Sequence, residues 1–449
     1  MRRIAIASAL LAAVALGACG GGGATKSTTA SATSSGATAA GHTPVTITLW
    51  NGFSNRELGV VKQAVAAFHQ SHPWITVKVV GGVNDDKIIA AIRGGNSPDV
   101  AQSFTADNTG LFCSSGGWID LKPYMQKDHI EASQFPKAVQ YYTSYQGKQC
   151  ALPMLADTYG LYYNKALFKK AGITAPPKTM SELAEDAKKL TQRNADGSLK
   201  VVGYDPAQGF YENAPAHYGP LFGAQWVNGD KSTIATSPGW TEFLNWQKGL
   251  IDFYGHDKLA RWQAGAGEEF SASNAFERGK LAMNMDGEFR TAFLADEHPE
   301  LDYGTAPMPV ADSHPELYGA GYVTGNIIGI PKNAKNKDAA WELVRYLSTD
   351  DHALALLSNG LKNVPTTTAS LKSNELKPDD RFKVFLDIFA HNGTATTPIT
   401  AAGSANQELF QTFVLKWQAG RVGDLAGGLA GVDKAIDAQL AQSAGSAKP

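Results

Sequence analysis

The stretch richest in groups that could do chemistry runs from Ala151 to Lys165, Ala-Leu-Pro-Met-Leu-Ala-Asp-Thr-Tyr-Gly-Leu-Tyr-Tyr-Asn-Lys. It sets one carboxylate, Asp157, among aromatics in an apolar run that reads as a strand. Such a carboxylate caps a turn, pairs with a lysine, or accepts hydrogen bonds from ligand hydroxyl groups. Catalytic and metal-binding patterns are missing. The ten histidines are scattered, with no His-Glu-x-x-His and no Cys/His cluster at metal-ligand spacing. No Gly-x-Ser-x-Gly elbow occurs. The adjacent acids Asp85-Asp86 and Glu268-Glu269 point in different directions on any regular element, so they make poor acid/base pairs and read as solvated surface. Lys26-Ser27 follows Thr25, not glycine, and is no P-loop. No catalytic residue, cofactor or metal is expected. Two carboxyl groups far apart in sequence could still flank a glycosidic bond, which leaves an exported polysaccharide-active enzyme as the minority reading.

The elements that must position such groups fit a chain of 449 residues, 43% hydrophobic and 18% charged, long enough for two or three core-forming units. A net charge of −2 offers no electrostatic footprint for nucleic acid. Met1-Arg2-Arg3 and the apolar Ile4–Leu16 read as the n- and h-regions of a signal peptide over 1–18, too short for an ordinary membrane span. Leu16-Gly17-Ala18-Cys19 resembles the lipobox of bacterial lipoproteins, which implies lipidation at Cys19. Cleavage would remove two arginines, leaving 38 basic against 42 acidic residues and a formal charge of −4. Residues 19–43 hold that cysteine and a Gly/Ser/Thr/Ala tether, spanning on the order of 25 Å. Of the other cysteines, Cys113 and Cys150 are expected to bridge in an exported protein, with two separate buried thiols as the alternative.

Val45–Trp50, Ile75–Val80 and the segment entered at Ser97–Val100 read as strands. The intervening helices carry Leu58, Val61, Val65 and Phe68 on one face, and Asp85 to Arg93 before Gly94-Gly95. Ser54 and Glu57 have capping-box spacing, as do Thr179 and Glu182. This βαβαβ order predicts an open α/β unit that binds ligands beyond its strand ends. Further helices are expected from Met180 to Leu190, from Trp240 to Tyr254, and from Ser404 to Trp417. A helix ending at Gly279 should lead into a buried strand from Leu281, and Ala444 to Pro449 should fray.

Two motifs are specific. One is Leu-Pro, an acidic residue, Tyr163-Asn164-Lys165, Leu167-Phe168, Gly172, Pro176-Pro-Lys-Thr and Glu182-Leu183. The other is Phe276, Gly279-Lys280, Ala282-Met283, Gly287 and Phe289. With Gly116-Gly-Trp118-Ile-Asp120-Leu121 and the glycine-rich Gly319–Ile330, they resemble the maltose-binding-protein-like sugar-binding proteins of bacterial ABC importers. The resemblance runs from about Val45 to the last helix. It implies an α/β, two-lobed type II periplasmic-binding-protein fold with three inter-lobe crossings, near Asp157, Pro307-Met-Pro309 and Asn363-Val-Pro365. The N-terminal lobe would be 44–156 plus 310–362, and the C-terminal lobe 157–309 plus 363–449.

The resemblance further implies a monomeric extracytoplasmic receptor, anchored to the cell membrane by its lipid, that binds a carbohydrate between the lobes and passes it to ABC permease subunits. Matching segments would supply the ligand contacts: Asn51 and Phe53; Ser103, Asp107 and Asn108; Asp157; Phe210, Tyr211 and Glu212; His217 and Tyr218; Phe289; and Gly321 and Tyr322. Phe289 stands where the family carries a stacking tryptophan, and Gln407 is nearest to the position of another. The stacking surface should therefore be smaller or differently placed. A glycerophosphodiester is the alternative ligand within the same class. The acidic residues and scarce cations of these segments favour a neutral sugar.

Overall fold

The computed structural model describes residues 41–446, with side chains to 443. The expected signal peptide, the lipidation at Cys19 and nearly all of the tether lie outside these residues. No helix among the described residues is long and apolar enough to cross a membrane.

The strands are β1 (Val45–Trp50), β2 (Ile75–Val80), β3 (Val100–Ser103), β4 (Leu152–Asn164), β5 (Gln192–Arg193), β6 (Leu199–Tyr204), β7 (Val227–Asn228), β8 (Lys231–Ser232), β9 (Leu281–Gly287), β10 (Tyr303–Ala306), β11 (Val323–Gly329) and β12 (Val364–Pro365). Ten of them form one mixed sheet in the order β2-β1-β3-β11-β4-β9-β6-β5, with β10 and β12 also on β4. β7 and β8 make a separate hairpin.

The 13-residue β4 holds the sheet together by changing partners along its length. Leu152 to Thr158 pair with β11, and Leu155 and Ala156 also pair with β12. From Tyr159 onward the partners are β9 and β10. Leu152, Leu155 and Ala156 accordingly pack in one hydrophobic core with β1, β3 and β11. Tyr159, Leu161 and Tyr162 pack in a second core with β6 and β9. β4 is buried along nearly all of its length, because each half is covered on both faces.

In the first unit β1 pairs in parallel with β2 and β3, as the βαβαβ reading requires. The helices Asn55–Ser71 and Asp85–Arg93 run where the periodicity puts them, the first burying Val61, Ala64, Val65 and Phe68. Thr179 and Glu182 form the expected capping box. Ser54 is an N-cap without a side-chain hydrogen bond, so the Ser54–Glu57 box does not form. The Glu57 side chain lines a cavity instead.

Four further expectations are corrected. Phe276–Gly279 is a run of turns, not a helix end, because the Asn274 side chain accepts from the Phe276 N–H at 2.9 Å and holds an Asx turn there. Pro307-Met-Pro309 does not cross between the cores: Met308, Val310 and Ala311 stay in the second core, and the Val310 N–H donates to the Lys178 carbonyl at 3.1 Å. The chain passes over between Tyr322, in the second core, and Val323, in the first. The boundary at 363 also shifts. Val364 remains in the first core, and the Thr368 N–H donates to the Gln134 carbonyl at 2.8 Å. The helix Asp380–Ala390 then contributes Phe385 and Ile388 to the second core and Phe389 to the first. The last helix continues through Ala444 to Ser446, the first part of the stretch expected to fray, and residues 447–449 lie outside the described residues.

Cys113 and Cys150 are joined by a disulfide with a Cα–Cα distance of 5.5 Å, both buried in the first core. It ties the helix after β3 to the residues just before β4. Closing a loop of 37 residues' separation limits the unfolded chain by about 3–4 kcal/mol on the chain-entropy account. Native protein should show no alkylatable thiol at either position by mass spectrometry. Reduction, or Cys113→Ala with Cys150→Ala, should lower denaturant stability by up to that amount.

Candidate functional site

Where β4 changes partners, a chain of amide and carboxyl groups crosses the sheet. The Asn363 side-chain amide donates to Asp157 Oδ1 and, at 3.2 Å, to Glu288 Oε1. Glu288 Oε2 accepts from the Thr158 N–H at 2.8 Å. On the other side Asn326 Nδ2 lies 3.5 Å from Asp157 Oδ2, while Asn326 Oδ1 accepts from Gln102 Nε2 at 2.7 Å. Gln102 Oε1 in turn accepts from the Gly52 N–H at 3.0 Å. The loop after β1, residues within β3 and β11, and the residue just before β12 are thus linked through polar groups to the middle of β4.

Burial pushes Asp157 up to about 7, further raised by the Glu57 charge and held back by hydrogen bonds from Asn363 and Glu288. Burial, together with the Asp157 charge, also lifts Glu288 well above the usual carboxylate range. Two carboxyl groups sharing one amide cannot both ionise cheaply, so the pair holds a proton where solvated carboxylates would not.

Above this pair opens a cavity of about 480 Å³. One wall is Gly52, Phe53, Ser54, Glu57, Phe104 and Thr105; the other includes Tyr159, Tyr211, Phe270 and Phe289; Asp157, Thr324, Asn326 and Asn363 complete the lining. Phe53 meets Phe104 edge-on at 4.8 Å. A Cβ at residue 52 would lie 2.0 Å from the Phe104 ring, and one at residue 287 would lie 2.2 Å from the Phe289 ring, so glycine at both positions lets these aromatics lie against the backbone. Phe104, Tyr211 and Phe270 are 45%, 44% and 53% exposed, which places them at the rim.

Behind the second wall Arg290 is fully buried, with Nε donating to Asp286 Oδ2 at 2.7 Å and Nη1 to Glu277 Oε1 at 3.0 Å. Its guanidinium lies 5.7 Å from the Phe270 ring centroid. Burial brings Asp286 to about 6 even with Arg290 beside it. His217 stacks on Tyr159 at 4.2 Å. Burial takes it down to about 4, so the ring is neutral and its Nδ1–H donates to the Glu212 carbonyl at 2.7 Å.

Of the residues expected at the site, Phe53, Asp157, Tyr211 and Phe289 line the cavity. The others do not reach the wall. Asn51 donates to the Val80 carbonyl at 3.1 Å and fastens the loop after β1. Ser103 and Asn108 both donate to Asp85, at 2.7 and 2.6 Å. Asp107 accepts from Thr105 and Thr397. Phe210 packs on the second core. Glu212 is buried beside the Arg290 cluster, and burial raises its carboxyl well above the ordinary range. His217 lies one layer back, against Tyr159. Tyr218 is core, its hydroxyl 2.7 Å from that of Tyr204. Gly321 meets Ile388 and the Tyr159 backbone, and Tyr322 is buried against Tyr159 and His217. Sequence reasoning missed Glu57, Phe104, Tyr159, Phe270, Glu288, Asn326 and Asn363. Tyr159 and Asn363 stood inside stretches already singled out. Glu57 has the spacing of a helix cap, and Phe270 directly follows the adjacent acids Glu268-Glu269.

The profile of the bacterial extracellular solute-binding proteins matches residues 55–353. This chain belongs to that family. A binding protein of Brucella abortus is 30% identical over 208 residues, covering 46% of this chain and 48% of the relative, so the match spans about half of that protein's length. The maltotriose-binding protein of Pyrococcus abyssi is 23% identical over 335 residues, 74% of this chain and 69% of the relative. The solved structure of CpMnBP1 with mannotriose bound superimposes with a TM-score of 0.78 at 24% identity, over 88% of this chain and all of that one. The fold is the two-lobed α/β fold of type II periplasmic binding proteins.

In this solute-binding protein the state of Asp157 has a measurable signature. The folded form keeps its carboxyl protonated up to about pH 7, while an unfolded chain releases the proton near the ordinary value of 3.8. Stability from the neutral carboxyl is complete below that lower value and is lost as pH rises through about 7. Asp157→Asn keeps the shape and removes the charge. Relative to the unmodified chain it should be more stable at about pH 8 than at about pH 4, by on the order of 1–3 kcal/mol in urea unfolding. An equal difference at both pH values would show that Asp157 is already ionised throughout.

Proposed function

We propose that this chain is an extracytoplasmic receptor that binds a carbohydrate in the cavity between its lobes and delivers it to an ABC importer. The carrying observation is the make-up of the cavity wall: six aromatic side chains and a set of planar amide and carboxyl groups around about 480 Å³. Aromatic faces suit the C–H surface of a sugar ring, and planar polar groups can meet two adjacent hydroxyl groups at once. No lysine, arginine or histidine is among the lining residues, so a phosphodiester would face Glu57 and Asp157 without a counter-charge. In the same reading the receptor acts as a monomer, held to the membrane by a lipid on Cys19, with the permease subunits as its partners.

A thermal-shift screen across mono- and oligosaccharides and glycerophosphodiesters tests the proposal, because a ligand that binds only the folded form raises the melting temperature. Stabilisation by glycerophosphodiesters alone would overturn the carbohydrate assignment. Turnover of an oligosaccharide, lost on replacing one carboxylate, would overturn the receptor assignment. With a sugar that binds, calorimetry should find that Asp157→Ala costs about 2–3 kcal/mol, roughly 30- to 150-fold in affinity. Phe289→Ala should cost less, about 1–2 kcal/mol.

The lobes should close on that sugar about the segments that join them. Small-angle scattering is expected to report a smaller radius of gyration with ligand than without. An unchanged radius at saturation would argue for a preformed, rigid cleft.

A further inference from the structure

The charge balance of the cavity narrows the ligand class. Its wall carries two carboxyl groups, Glu57 and Asp157, and no basic side chain. A third carboxyl, Glu288, lies behind Asp157 on the same Asn363 amide. Two guanidinium groups lie nearby without lining the cavity, each held by other groups but keeping its Nη2 without a hydrogen-bond partner. Arg56 Nη1 donates to the Gly360 carbonyl at 2.7 Å, and its Nε lies 3.3 Å from Asp296. Arg290 is held by Asp286 and Glu277. Among the described residues none donates a hydrogen bond to the Glu57 carboxyl; burial raises it, and the nearby charges of Arg56 and Arg290 only partly offset that.

A neutral ligand that fills this space removes water from the carboxyl groups and supplies no counter-charge. A ligand ammonium supplies one, and aromatic faces within about 6 Å of it add a cation–π attraction that grows as water is excluded. We infer that the bound carbohydrate carries a protonated amine, as an amino sugar or a short oligosaccharide containing one, with the amine seated between Glu57 and Asp157. This rests on the carbohydrate reading above and specifies its ligand. The ammonium replaces the proton that burial holds on Asp157, which passes to solvent. Glu57 then sets the preference for amine over hydroxyl, and Asp157 orients the ring.

The test is calorimetry and thermal unfolding of the full chain with glucosamine and its β-1,4-linked dimer and trimer. Controls are the N-acetylated forms and the corresponding glucose and mannose oligomers, all at slightly acidic pH. The amino forms should bind at least about tenfold more tightly than the acetylated and neutral ones. That margin should shrink with added salt and largely vanish in Glu57→Gln, whose unliganded melting curve reports that it is folded. Acetylated or neutral sugars binding as tightly as the amines, or binding alone, would overturn this inference and leave the carbohydrate receptor standing. Failure of every carbohydrate to bind, amino or neutral, would overturn the receptor reading and this inference with it.

Discussion

The contact on which the rest depends is the sharing of one asparagine amide by two buried carboxyl groups. Asp157 and Glu288 both accept from Asn363 at the point where β4 leaves β11 and β12 for β9 and β10. At a change of sheet partners, backbone groups risk losing their ladder bonds, and buried ones must find others. The Glu288 carboxyl supplies one by accepting the Thr158 N–H. The groups that make this junction possible are therefore the ones that give the cavity its polar floor. Removing one would leave the others buried without partners, which costs more than the bond itself is worth.

Local rules of sequence carried far into the fold and stopped at side chains whose partners are remote. The helix Met180–Leu190 is legible because Thr179 and Glu182 satisfy each other three residues apart, whatever surrounds them. Ser54 and Glu57 have the same spacing and do not, because Glu57 lies in the cavity wall with Asp157, a hundred residues on. Spacing reports what can form, and tertiary surroundings decide what does. Gln102, Asn326 and Asn363 are ordinary amides in sequence. Their meaning arises only when four strands are laid side by side. Pro307-Met-Pro309 has the composition of a linker, yet Val310 pairs with the segment before the helix at Met180. Nothing short of the packed second core would have disclosed that.

The aromatic wall shows the same division. Asp157 and Phe289 were legible because each stands inside a specific motif, although the motif could not say whether Phe289 packs inward or faces a ligand. Tyr218 was misplaced for a related reason. An aromatic next to a candidate segment looks like a contact until its hydroxyl is found bonded to Tyr204 in the core. Glycines were the better guide to the wall. Gly52 and Gly287 are sites where backbone and ring meet with no room for a methyl group, and each lies beside a cavity residue.

The helix Asp380–Ala390 belongs to both cores, with Phe385 and Ile388 in one and Phe389 in the other. A helix is stiff over such a length, so neither core can draw away without pulling these rings out of the opposite packing. If the lobes close as proposed, their rotation would be confined to axes passing close to this helix, as about a fulcrum. Displacement then grows with distance from it. Asp157 would barely shift for a given turn, since its neighbour Thr158 donates from Oγ1 to the Phe385 carbonyl of this helix at 3.4 Å.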